Sequence, residues 1–391
     1  MSLDIAREPE VPLTGVDDLL GYFRNAEKPR EAHQLGLEHE KLLVLAGTRP
    51  PAPVPYEGPR GVGALLAAMG PSYQPFREHP SGPVIALVRG EMTVSLEPGG
   101  QLELSGAPAR TARELHRENV QHLDELGRAA SGLGVRPVAL GYRPFGTAGE
   151  APWMPKTRYQ LMRTSLGERG RLALDMMLMT ATGQLSLDWA DEADCSRKVC
   201  AAARLTPLMV ALYANSPLVR GAPSGMLSFR SHVWSDVDPA RCGYLPSMID
   251  GSFSYRSYVE WALDAPMLFL RRGGEYRALK MTFRELMARG FEGKPAVSAD
   301  WVDHLSTLFP EVRIKRVMEI RGADCVGATQ TAALGALWRG LLYDGQALGE
   351  AERLLPGLSF TEHQELHREA GRLGLRATLR GKPVAALARE L

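Results

Sequence analysis

The run Leu35 to Leu45 reads as a single strand, and inside it Gly36-Leu-Glu-His-Glu-Lys41 sets two acids two residues apart. Side chains along a strand alternate faces, so Glu38 and Glu40 point the same way, beside Leu42, while Leu37, His39 and Lys41 point the other way. Two adjacent carboxylates repel, and burying them unpaired is costly. A divalent cation resolves that conflict, so the pair reads as half of a metal site on an acid-bearing sheet.

More of the chain fits such a sheet. Asp17 and Asp18 open a short helix carrying Leu19, Leu20 and Phe23 ahead of the acidic strand. The prolines between Arg49 and Pro59 enforce a loop, and a small helix follows from Gly61 to Met69. A strand pair is predicted on either side of Glu97-Pro-Gly-Gly-Gln101, then a long amphipathic helix starting near Pro108. From Thr180 to Trp189 polar and apolar residues alternate, with Thr180, Thr182, Gln184, Ser186 and Asp188 on one face of a strand. Asp191, Glu192 and Asp194 give the next helix the acidic first turn that its dipole favours, with a kink expected at Pro207. Ser228 to Trp234 is strand-like and sets Ser228, Arg230, His232 and Trp234 on one face; a last strand is expected from Arg313 to Arg321, and Arg372 to Arg389 reads as a solvated helical face. Short turns between strands cannot carry parallel crossovers, so the expected class is α+β on a mostly antiparallel sheet.

Composition narrows the function. With 46 Lys+Arg against 45 Asp+Glu and a net charge of +1, no global field draws the chain to nucleic acid or an anionic membrane. No apolar run spans a bilayer and the first residues lack a secretory pattern, so a cytosolic protein is expected. Cys195, Cys200, Cys242 and Cys325 form no Cys-x-x-Cys pair and are expected to be reduced.

The proposed Glu97–Gln101 reversal brings Glu97 and Glu103 onto adjacent strands. Hard oxygen donors of this kind suit Mg²⁺ or Mn²⁺ rather than zinc. Glu319 is a fifth acid, and for Glu97 or Glu319 taken alone an ion pair with one of the many arginines is an equal reading. Arg158, Arg163, Arg230 and Arg321 lie in or beside polar-faced segments, where a guanidinium offers paired hydrogen bonds to phosphate or carboxylate. No P-loop or Rossmann glycine pattern exists, so a nucleotide would be held by metal ions and arginines. Ser231, His232 and Asp236 lack the elbow of a hydrolase, His39 and His232 read as structural, and Met176 to Met179 reads as core.

Seven blocks in order then carry a family resemblance: GLEHEKLLV (36–44), SLEPGGQLELSGAP (95–108), MPKTRYQLMR (154–163), LDMMLMTATGQLSLDW (174–189), ANSPL (214–218), SFRSHVWSDVDPARCG (228–243) and LFPEVRIKRVMEIRGAD (308–324). Across roughly residues 13–345 the chain resembles the plant-type and proteobacterial glutamate–cysteine ligases. The resemblance implies a glutamine synthetase-like fold, in which an antiparallel sheet flanked by helices forms an acid-lined funnel. It implies Glu38, Glu40, Glu97, Glu103 and Glu319 as Mg²⁺ ligands, Arg230 and Arg321 facing the transferred phosphate, and Arg163, Gln184, Arg158 and Trp234 at the substrates. The implied reaction uses ATP to activate the γ-carboxylate of L-glutamate for attack by L-cysteine, in a monomer or homodimer. Two alternatives share the motifs: a γ-glutamyl ligase with another amine acceptor, and a noncatalytic metal- or nucleotide-binding relative. Residues 1–345 are expected to form the catalytic domain, with 346–391 a divergent helical segment packed on it.

Overall fold

A computed structural model describes residues 9–391, so the start of the chain, on which part of the cytosolic expectation rested, lies outside the described residues. Among them, nine strands pair antiparallel in one sheet. Its spine is β1 (Leu35–Leu45), whose 11 residues are long enough to take different partners along their length. The first half lies between β5 (Leu102–Ser105) and β7 (Gly183–Leu187), and the second half pairs with β6 (Val135–Val138). Beyond β5 lie β4 (Met92–Leu96), β3 (Ala86–Arg89) and β2 (Gln74–Phe76), while Val312–Ile314 and Met318–Ile320 extend the sheet past β7. The α+β class and the antiparallel sheet flanked by helices are therefore as expected.

Period-two burial explains how the sheet is covered. Leu35, Leu37, Leu185 and Leu187 enter one core with α1 (Val16–Arg24), the helix Glu192–Leu212 and the C-terminal helices. Val94, Leu96, Leu102 and Leu104 enter a second core with α2 (Val62–Ala68), α3 (Ala112–Gly132), α4 (Thr157–Gly167) and α5 (Ala173–Met179). The acidic helix start is realised: Asp191 caps α6 (Glu192–Leu212) by accepting from the Asp194 N–H at 2.8 Å. All four cysteines are free thiols.

Three expectations need correction. Ser228–Trp234 is not a strand but α7 (Phe229–Trp234), with Ser228 as its cap accepting from the Ser231 N–H at 3.1 Å. Alternating polarity over seven residues cannot distinguish two helical turns from a strand, and here the capping serine and the packing against α5 decide it. Arg313–Arg321 is not one strand but a hairpin, Val312–Ile314 against Met318–Ile320, which aligns Arg313 with Glu319. The Arg372–Arg389 stretch is likewise broken into the end of the Phe360–Leu373 helix, a two-stranded hairpin and the Val384–Glu390 helix. This segment is not merely a solvated face: Ala377, Val384 and Leu387 are buried in the first core.

Candidate active site

Strand register sets the acids side by side. Glu40 lies opposite Glu103 across β1 and β5, and Glu38 lies opposite Ser105 on one side and Gln184 on the other. Glu97 follows at the β4–β5 turn, where the Gly100 N–H donates to Glu97 O at 2.9 Å and Gly100 takes φ +81, a backbone angle that favours glycine. Glu38, Glu40, Glu97 and Glu103 are all buried. Burial first, and then the facing acids, push the Glu40 carboxyl well above its ordinary value, with Glu97 and Glu103 as the neighbours responsible. Glu38 is raised by burial too, with Glu103 and Glu319 adding to it. The donor set thus suits a hard cation, because several buried like charges ionise together only when a positive charge joins them.

The fit is incomplete as the side chains stand. Among the described residues no group of three or more His, Cys, Asp or Glu side chains is placed to hold a metal ion. Glu319 is committed to protein cations: its Oε2 is paired with Arg313 and lies 3.8 Å from Arg321, and its Oε1 lies 2.7 Å from Lys315. Burial alone would raise the Glu319 carboxyl, but Arg313, Lys315 and Arg321 override it and hold it far below the ordinary range. The ion-pair reading of Glu319 is the one realised here.

Next to the acids is a small cavity of about 50 Å³. Glu40, Glu97, Gln184, Arg230, Trp234 and Arg321 all line it, so residues more than 280 positions apart meet at one point. Arg321 donates to Gln184 Oε1 at 2.5 Å, and Arg230 donates to the Arg321 carbonyl at 2.9 Å. The Trp234 ring closes one side, with the Arg321 and Arg230 guanidinium carbons 5.4 and 5.8 Å from its centroid. A carboxylate wall facing two guanidiniums is an arrangement that accepts a metal-bound polyphosphate or an amino-acid carboxylate.

Two expected substrate residues are not at this cavity. Arg163 is exposed on α4 and stacks on Trp153 at 5.0 Å; its neighbour Met162 lines the cavity instead, because successive helical residues point about 100° apart. Arg158 stacks on Phe269 at 5.8 Å and is not among the lining residues.

Several lining residues were missed. Thr180 and Thr182 belong to the same polar face as Gln184, a signal already present in the alternation; the Thr182 N–H donates to Glu40 Oε2 at 3.0 Å. Gln101 ties the acidic turn to α5, accepting from the Gly99 N–H at 2.9 Å and donating to the Thr180 carbonyl at 2.7 Å. Met176 and Met177 both line the cavity and belong to the second core, so the core reading was half the answer. Arg313 also lines it. His39 is structural as expected, bonded to Asn119 at 2.9 Å and the Val326 carbonyl at 2.9 Å on the far face of β1.

A family model, glutamate–cysteine ligase family 2, matches residues 34–390. The chain belongs to that family. Its match runs through the C-terminal helices, beyond the seven blocks read from sequence. Among curated relatives of glutamate–cysteine ligase family 2, the chloroplastic glutamate–cysteine ligase of Brassica juncea is 39% identical over 94% of this chain and 71% of its own length. That of Arabidopsis thaliana is 38% identical over 94% of this chain and 70% of its own length. A solved glutamate–cysteine ligase from Francisella tularensis, in complex with AMP, shares the fold with a TM-score of 0.52 at 12% identity, covering 92% of this chain and 76% of that one. These relatives overturn the cytosolic expectation, since the curated ones are chloroplastic proteins. No helix among the described residues is long and apolar enough to cross a membrane, and that feature does not separate the cytosol from the interior of an organelle.

Proposed function

We propose that the cavity between the acids of β1 and the arginines of α7 is where this glutamate–cysteine ligase activates glutamate with ATP. As a member of the family, the protein is a ligase that joins the γ-carboxylate of L-glutamate to the α-amine of L-cysteine at the expense of ATP. A carboxylate is a poor acylating agent, so glutamate attacks the γ-phosphate and leaves as an acyl phosphate. Arg230 and Arg321 take the transferred phosphate through paired hydrogen bonds, and Gln184 and the Arg321 carbonyl hold the two guanidiniums in register. Glu38, Glu40, Glu97 and Glu103 would hold Mg²⁺, which when bound would supply positive charge between carboxylate and triphosphate. Glu319 fixes Arg313 and Arg321 instead of standing open to metal. Trp234 walls the substrate, and Thr182 orients Glu40 through its backbone N–H. Residues 1–345 form the catalytic unit, with 346–391 packed against it, in a monomer or homodimer.

The single observation carrying this reading is the meeting of Glu40, Glu97, Arg230 and Arg321 around one cavity. Incubation with glutamate, cysteine and MgATP should release phosphate and yield γ-glutamylcysteine in equal amounts. Absence of both products, with cysteine or with a panel of other amines in its place, would reject it.

A further inference from the structure

The catalytic cavity measures about 50 Å³ as the side chains stand. A second cleft, about 550 Å³, opens beside it between α7 and the Phe360–Leu373 helix. Trp234 lines both, and a tight crevice lined by Glu311, Arg230 and Arg321 shares residues with each of them. The cleft has the size and mixed lining of a small-molecule site, with Trp234, Tyr244 and Phe360 as its aromatic surfaces.

We propose that this cleft seats the acceptor amino acid and that Glu311, on the wall of the cleft nearest Arg230 and Arg321, takes the proton from its attacking amine. The inference rests on the ligase reading above. Glu311 is held by its own backbone: its N–H donates to the Gly243 carbonyl at 2.8 Å, and its carbonyl accepts from the Arg321 N–H at 3.1 Å. Its half-buried carboxylate makes no hydrogen bond or ion pair among the described residues, and Glu311 lines the cleft. Two other polar groups there are already engaged. His367 is bonded at both ring nitrogens, to Ser231 at 2.9 Å and Tyr244 at 2.7 Å, and Asp238 lies 2.7 Å from Arg241 and 3.2 Å from Arg169. The charged and titratable groups facing Glu311 are Arg230 of α7, Arg321 beyond the hairpin, and Tyr244, whose hydroxyl is in turn bonded to His367. Burial raises the Glu311 carboxyl above its ordinary value despite Arg230 and Arg321, making it a stronger base than a solvated glutamate.

The step balances. The acceptor arrives as an ammonium and Glu311 removes one proton; the freed nitrogen lone pair forms the C–N bond at the acyl carbon. The C–O bond to phosphate breaks, and the departing phosphate takes the second N–H proton. Glu311 then loses its proton to water through the open cleft.

The test uses the full chain with Glu311→Gln and Glu311→Asp, and compares cysteine with hydroxylamine, an amine largely unprotonated at neutral pH that needs no base. Glu311→Gln should lower kcat for γ-glutamylcysteine by about 100-fold or more, yet keep γ-glutamyl hydroxamate formation within about threefold of wild type. Glu311→Asp should recover part of the cysteine reaction, with its acidic pH limb displaced. Equal loss with both amines, or full activity with cysteine, overturns the proposal. Wild-type protein inactive with both amines overturns the ligase reading itself, a separable result.

Discussion

The Glu40 side chain sits among Glu97 and Glu103 with one oxygen bonded to the Thr182 N–H, so the folded protein without metal carries like-charge repulsion at this point. Glu40→Gln keeps the acceptor for Thr182 and removes one negative charge. Turnover should fall by at least about 100-fold, while the metal-free thermal midpoint stays level or rises. Calorimetry without Mg²⁺, set beside a phosphate-release assay, measures both; a large drop in midpoint with normal kinetics would assign Glu40 a structural role. Parity along β1 made Glu38 and Glu40 legible from sequence, since a period of two leaves little choice of face. Glu311 was not legible: nothing in its sequence neighbours marks it, and only its place beside Arg230 and Arg321 on the wall of the cleft distinguishes it from a surface acid.

Elements matter here through the turns and caps that aim these side chains. The β4–β5 turn is pressed onto α5 so closely that a Cβ at Gly99 would lie 2.2 Å from the Leu178 carbonyl oxygen. Backbone cannot move aside as a flexible side chain would, so Gly99→Ala should cost about 1–3 kcal/mol and shift Glu97. Urea unfolding and the Mg²⁺ dependence of activity check the two effects, and an unchanged midpoint would show that the turn can slide. At the other wall, Asp324 accepts from the Asn215 N–H and the Ser216 hydroxyl at 2.7 Å each and from the Ser228 hydroxyl at 2.8 Å, tying the start of α7 to the chain just beyond the hairpin of Arg313 and Glu319. That tie is why Arg230 faces the cavity from a helix. Its strand-like spacing hid the helix, and nothing local announced a carboxylate nearly one hundred residues away.

At the scale of the molecule, the buried imidazoles set the response to acid. His304 and His363 are each pushed from 6.5 down to about 4 by burial, their Nε2 atoms bonded to the Ala262 and Ala203 carbonyls. Between those values the unfolded chain binds protons that the folded chain refuses, so this contribution is whole above about pH 6.5 and is lost as pH falls toward about 4. Unfolding midpoints in urea should decline across that window, and His363→Gln should flatten the slope; a midpoint indifferent to pH there would contradict the assignment. His363 lies on the Phe360–Leu373 helix, which packs on α6 and also walls the acceptor cleft, so acid would loosen core and cleft together.

From the sequence alone came the antiparallel sheet, the acidic face of β1, the hairpin carrying Glu97 and Glu103, the polar face of β7 and the family, because strand periodicity, turn chemistry and ordered motifs are properties of neighbouring residues. Only the tertiary structure decided that Ser228–Trp234 is helical, that Arg163 turns outward, that Glu319 is bound to arginine and lysine, and that Glu311 lies beside Arg230 and Arg321 on the wall of the cleft. Those outcomes depend on which distant charges and surfaces meet. Burial multiplies the strength of such meetings, and their partners lie tens to hundreds of residues apart, beyond the reach of any local pattern.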